Sequence, residues 1–195
     1  MLDLNTISNY IDKNKAVYVA FSGGIDSVAL LYACSLLKKD GRLNELRAIH
    51  VNHNLSINAK LWEEHCINIC KKLDIELIIH NIFIETHKDG LESAARKGRY
   101  DVFNKIVKHN EQLLLGHHAD DVAETLLFRL FRGTGIDGLQ GPKPRRKIGE
   151  GTLIRPLLKF SKKELLDFIT TNAIDYIDCL LYTSPSPRDT QSARM

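Results

Sequence analysis

The chain has 195 residues, 44% of them apolar and 26% charged, with 27 basic against 24 acidic side chains and a formal charge of +3. That length suits one ordinary domain or a domain with an appendage, and the composition is typical of a soluble globular protein. No apolar run approaches the ~20 residues of a membrane span, the start Met1-Leu-Asp-Leu-Asn5 lacks a secretory pattern, and the mild charge neither demands nor excludes a nucleic-acid partner.

Val17–Phe21 is a short apolar run ending in glycines and predicts a buried strand. Ser27–Lys39 follows with a helical spacing of Val28, Leu30, Leu31, Leu36 and Leu37, closed by Asp40-Gly41. Leu46–Val51 reads as a strand, Ala59–Leu73 as a helix and Glu76–Ile82 as a strand. Leu91–Lys108 is a predicted helix, Gln112–Gly116 a strand and Asp120–Phe131 a further helix. Near-continuous apolar strands alternating with helices imply an α/β fold, a doubly wound parallel sheet flanked by helices. Ligands in such folds sit beyond the carboxyl ends of the strands.

The pattern changes after that. Ile136–Gly151 is rich in glycine, proline and basic residues and reads as an exposed loop. Its Lys143, Arg145, Arg146 and Lys147 fit either a solvated surface or a contact to a phosphate backbone. Ser161-Lys-Lys-Glu164 is a capping box that opens a helix to about Asn172. From Leu180 to Met195 there is no apolar periodicity, and the segment with Ser184-Pro-Ser-Pro-Arg188 reads as foreign sequence replacing a natural continuation. The expected organisation is therefore a catalytic domain over residues 1–178 and a non-native or disordered tail over 179–195. Cys34, Cys66, Cys70 and Cys179 have no zinc-like spacing, and Cys66 with Cys70 reads as a pair of reduced packing residues. A reducing cytoplasm is the expected setting.

Ser22-Gly23-Gly24-Ile25-Asp26-Ser27 lies between the first strand and the first long helix. A helix start offers unpaired amides and the positive end of a dipole. Two glycines permit backbone geometry in which successive amides converge on one anion. Ser22 and Ser27 add hydroxyls, and Asp26 is suited to hold a magnesium ion against a phosphate. The hexapeptide resembles the Ser-Gly-Gly-x-Asp-Ser signature of the PP-loop ATP pyrophosphatases, and no Gly-Lys-Ser/Thr of a Walker loop follows. The resemblance implies cleavage of ATP to AMP and pyrophosphate.

Further segments narrow the resemblance: His50-Val-Asn-His53-Asn-Leu55, Leu91-Glu-Ser-Ala-Ala-Arg96-Lys-Gly-Arg99-Tyr100, Gly116-His117-His118-Ala-Asp120-Asp121-Val-Ala-Glu124-Thr125, Arg132-Gly-Thr-Gly-Ile-Asp-Gly-Leu139 and Arg155-Pro-Leu-Leu158. In this order, over roughly Val17 to Asp178, they resemble the tRNA(Ile)-lysidine synthetases. That family joins L-lysine to C2 of the anticodon cytidine of tRNA(Ile) with a CAU anticodon, using ATP and Mg2+ and passing through an adenylated cytidine. By resemblance Asp121 and Glu124, three apart on one helix face, hold the lysine. Read without the family, they are acids favoured by the helix dipole. His117 resembles an ATP-contacting or acid–base position, and His118 and His50 are weaker candidates. Arg96 and Arg99 suit phosphate or the lysine carboxylate, although Glu92 and Arg96 also fit an ordinary surface pair. Arg132 suits phosphate or RNA. Catalytic roles thus fall on Asp26, His117, Asp121 and Glu124.

The family continues past the region of Asp178 with segments that grip the tRNA. Its members are often dimers, although no apolar interface stripe is visible in this sequence. Two other readings stay open at this point. One is a tRNA 2-thiolation enzyme of the same superfamily, which needs Cys-x-x-Cys pairs or a catalytic cysteine. The other is a non-catalytic nucleotide-binding fragment.

Overall fold

The computed structural model describes residues 2–54, 58–83, 91–133 and 140–177. The predicted tail, Cys179 and most of the glycine loop after Arg132 lie outside the described residues. The elements in chain order are α1 (Leu4–Ser8), β1 (Val17–Ala20), α2 (Ile25–Lys39), β2 (Leu46–Asn52), α3 (Ala59–Leu73) and β3 (Glu76–Asn81). They continue with α4 (Leu91–Ile106), β4 (Gln112–Leu114), α5 (Ala119–Phe131), β5 (Arg145–Ile148), β6 (Gly151–Ile154) and α6 (Lys162–Thr171).

All six strands join one sheet in the order β3-β2-β1-β4-β6-β5. β3, β2, β1, β4 and β6 run parallel, and only the edge strand β5 is antiparallel. β1 lies at the centre, with Val17 in register with Leu46 on one side and with Gln112 on the other. Its side chains are apolar in both directions because both sheet faces are covered. Val17 and Val19 join Leu30, Leu31, Leu37 and Ile169 in one core cluster. Tyr18 turns the other way, into a cluster with Ile49, Phe103, Val107, Leu113 and Leu153. Helices on both faces make the sheet doubly wound, as expected.

α2 is the best-buried helix among those described. Val28, Leu30, Leu31 and Leu37 are fully enclosed, and each such aliphatic side chain contributes about 1.5–3 kcal/mol by leaving water. α6 starts on the predicted capping box: the Ser161 hydroxyl accepts from the Glu164 amide at 3.3 Å, and Glu164 Oε2 accepts from the Ser161 amide at 2.9 Å.

Ile136–Gly151 is not a loop throughout, because residues 145–148 form β5 and Gly151 begins β6. The basic run Arg145-Arg-Lys147 hides an edge strand from any hydrophobic pattern, since one side of an edge faces water and charge there blocks further strand pairing. The short α1, capped by Asp3, also carried too little periodicity to be read.

Candidate functional site

The strand order reverses at β1 and β4, which lie side by side while their following helices depart separately. This is the switch point of a doubly wound sheet, where the loops beyond the carboxyl ends part and leave a crevice. A cavity of about 660 Å³ lies there. Its lining includes Ser22 from the loop after β1 with Asp26 and Ser27 from the first turn of α2, and Gly116 and His117 from the loop after β4 with Asp121 from the first turn of α5.

The first loop is held by its own side chains. The Ser22 amide donates to Ser27 Oγ at 3.2 Å, and the Ser27 hydroxyl donates to the Gly24 carbonyl at 3.0 Å. Ser27 is buried, so its hydroxyl braces the loop, whereas Ser22 is exposed. Gly23 has φ +84°, and an added Cβ would stand 3.0 Å from Cys66 Sγ. A side chain is disfavoured there on both counts. Gly116 meets a tighter limit: its Cβ would lie 3.0 Å from both the carbonyl carbon and the oxygen of Asp26. The two loops therefore touch backbone to backbone, and only glycine allows it.

His118 joins them chemically. Its ring is buried and surrounded by carboxylates, with Nε2 at 3.4 Å from Asp26 and 3.8 Å from Asp121, and Nδ1 at 3.4 Å from Asp120. Asp121 also caps α5, its carboxylate accepting from the His118 amide at 2.9 Å. Burial raises the Asp26 carboxyl above its ordinary value; His118 pulls it down, and Asp121 raises it further. Asp26 Oδ1 is buried without a hydrogen bond. A carboxylate oxygen that accepts no hydrogen bond, with the His118 ring near it, suits a hard cation. Magnesium commonly takes one or two carboxylates and completes its shell with phosphate and water.

The cavity also has cationic lining. α4 presents Arg96, Arg99 and Tyr100 from one face. Arg155 Nε donates to His117 Nδ1 at 3.0 Å, and burial followed by the Arg155 charge pushes the His117 pKa down to about 4. His50 is buried with Nδ1 2.8 Å from the Phe21 carbonyl, and burial lowers its pKa too. Beyond Tyr100 a second depression of about 740 Å³ gathers Arg96, Lys97, Arg129, Lys143, Arg146 and Arg155. Arg146 and Arg96 stack over the Tyr100 ring at 4.8 and 5.8 Å.

Ser22, Asp26, Ser27, His50, Arg96, Arg99, His117 and Asp121 thus border one cavity. Gly23, Gly24 and Ile25 shape the loop and start of α2 without lining that space. Glu124 is exposed, one turn further along α5. Arg132 ends α5 outside the cavity, its guanidinium 4.1 Å from the Phe128 ring. Sequence reasoning assigned no role to Arg155, Tyr100, His53 or Trp62, though each lines one of the two spaces. Arg155, Tyr100 and His53 stand in motifs that the sequence singles out. Only the fold shows that Arg155, 38 residues after His117, reaches its ring.

A family model for the PP-loop domain matches residues 3–179. The chain is 40% identical over 177 residues to the tRNA(Ile)-lysidine synthase of Pseudomonas putida, covering 91% of this chain and 40% of that protein. It is 37% identical over 169 residues to the tRNA(Ile)-lysidine synthase of Coxiella burnetii, covering 86% and 37%. The chain therefore spans about two fifths of the length of these curated relatives. Among solved structures, the U34-tRNA thiolase NcsA from Methanococcus maripaludis shares the fold. Its TM-score is 0.66 at 19% identity, covering 94% of this chain and 66% of that one.

Proposed function

Because the chain belongs to the PP-loop domain family, we propose that residues 1–178 are the catalytic domain of an enzyme that ligates lysine to the wobble cytidine of tRNA(Ile) with a CAU anticodon. The single observation that carries this reading is the shared cavity of the Ser22–Ser27 loop, Asp26, His117 and Asp121, closed by the arginines of α4. Relatives at about 40% identity that bear the lysidine synthase name support the choice of reaction.

The triphosphate of ATP lies against the amides of the loop and the start of α2, where the helix dipole favours negative charge. Asp26 would hold magnesium, which supplies charge neutralisation on the phosphates when bound. Arg96 and Arg99, which line the same cavity, stabilise the same oxygens. The cytidine O2 attacks the α-phosphorus, the bond to pyrophosphate breaks, and the poor carbonyl oxygen becomes a leaving group. The ε-amine of lysine then forms a bond to C2 as the bond to AMP breaks. Asp121 attracts the lysine ammonium groups and takes the proton lost by the attacking amine. Glu124 contributes from the rim of the site.

The basic depression beside Tyr100 suits the phosphates of the RNA on its way to this cavity. Thiolation is less well supported. Cys34, Cys66 and Cys70 are buried, and burial pushes the Cys34 and Cys70 thiols up to about 12, far from the thiolate that sulfur transfer needs.

The test is incorporation of radiolabelled lysine into a CAU-anticodon tRNA(Ile) in the presence of ATP and magnesium. It should be run with this chain and with a version extended to the length of its relatives. Label enters the RNA with the extended version and is lost by at least 100-fold on Asp121→Ala (an expectation on the order of a lost transition-state contact). Tight ATP binding without any incorporation by the extended version would refute the lysidine reading.

A further inference from the structure

The protonation pattern of His117 follows from the identity of its neighbour. Arg155 Nε lies 3.0 Å from His117 Nδ1. A guanidinium carries donors only, so Nδ1 must be the acceptor and its lone pair is committed. The proton of the neutral ring then resides on Nε2. Arg155 has little freedom to turn away: it is 5% exposed, its Nη1 donates to the Lys143 carbonyl at 2.8 Å, and its amide donates to the Pro144 carbonyl at 2.8 Å. His50 lines the same cavity in the converse state. The Phe21 carbonyl 2.8 Å from its Nδ1 can only accept, so Nδ1 carries the proton and Nε2 keeps a lone pair.

We propose that Arg155 is a positioning residue that fixes His117 as a neutral hydrogen-bond donor, with Nε2–H serving an oxygen of the phosphoryl group held by the Ser22–Ser27 loop. His117 on this account is not a proton acceptor in the reaction. One nitrogen is already protonated and the other is occupied by a cation. Burial and the charge of Arg155 also keep the ring from becoming an imidazolium near neutral pH. A neutral imidazole can act as an electrophile, and holding it in one tautomer costs no reorganisation when charge develops on the oxygen. The proton released by an attacking amine must then go to a carboxylate, and Asp121 borders the same cavity. The identity of the oxygen rests on the nucleotide reading above; the tautomer does not.

The experiment is a long-range proton–nitrogen correlation spectrum of the 195-residue chain labelled with 15N-histidine. His117 should show a protonated Nε2 and an unprotonated Nδ1, while His50 shows the reverse in the same spectrum. An unprotonated Nε2 at His117 overturns the proposal. Arg155→Met removes the donor and should yield mixed tautomers, whereas Arg155→Gln, with an amide donor, should retain more of the wild-type pattern. A wild-type tautomer in folded Arg155→Met would also overturn it, and should that variant fail to fold, the wild-type spectrum and the two His117 variants still decide. Binding of a non-hydrolysable ATP analogue supplies the second readout. His117→Ala should weaken it by about 10-fold or more, as for a lost hydrogen bond to a charged group, and His117→Gln, which keeps a donor, should recover most of that loss. Equal losses in the two variants reject the donor role. Absence of analogue binding by the wild type refutes the nucleotide reading and the phosphoryl assignment with it, and leaves the tautomer to be judged by the spectrum alone.

Discussion

α2 and α5 both begin where a central strand ends, α2 after β1 and α5 after β4, yet the molecule holds them differently. α2 is enclosed along its length, with Ser27, Val28, Leu30, Leu31, Cys34 and Leu37 among its buried residues. α5 has no buried residue. It is anchored at its first turn, where the Ala119 amide donates to the Phe160 carbonyl at 2.8 Å and Asp120 accepts from the Lys162 amide at 2.7 Å. Further along, Leu127, Phe128 and Leu130 are more than half exposed and Phe131 is 85% exposed. A phosphate loop needs amides fixed in advance, and burial of the helix behind it provides that rigidity. The acids of α5 need only one well-placed turn, so backbone anchors at its start suffice.

Truncation of side chains should separate the two helices most. Leu30→Ala in α2 should cost about 2–5 kcal/mol, the range for a buried leucine that leaves a cavity. Phe131→Ala in α5 should change stability by less than about 0.5 kcal/mol. Urea unfolding of the two variants measures both, and similar losses would mean that α5 is as firmly packed as α2.

Gly116→Ala tests the point where the two helix starts meet. The new methyl group would press on the Asp26 backbone at 3.0 Å, and overpacking of this kind costs about 1–3 kcal/mol. Because the strain falls on the phosphate loop, affinity for an ATP analogue should drop more than stability alone predicts. Isothermal titration beside a thermal melt separates the two effects.

Acid should act on the histidines that line the cavity. Burial first, and neighbouring positive charge after it, pushes His117 and His53 down to about 4 in the folded chain, against ~6.5 for an unperturbed histidine. Between those values the unfolded chain binds more protons than the native one. Stability is therefore full above about pH 6.5 and declines as pH falls toward 4. Thermal melts across this range should show that decline, and His117→Gln should flatten it in part. An unchanged slope in that variant would place the acid sensitivity elsewhere.

Much of the site was legible from the sequence because it resides in short motifs. Ser22–Ser27 marks a candidate anion loop through its glycines and position, and the acids of Gly116–Glu124 sit at a strand-to-helix junction that the alternating pattern reveals. The same local patterns specified the doubly wound sheet, since apolar strands and amphipathic helices encode their own periods. Other features depend on distance through space. β5 is a strand because its backbone pairs with β6 at the sheet edge, a fact its basic side chains conceal. Arg155 governs His117 because β4 and β6 are neighbours in the sheet, which brings the ends of two remote segments together. Ser27 turned out to brace its own loop, and Glu124 and Arg132 stand outside the cavity. Residue type and spacing determined which chemistry was available here; tertiary packing decided which donor faces which acceptor, because hydrogen-bond direction and burial exist only once the chain has folded.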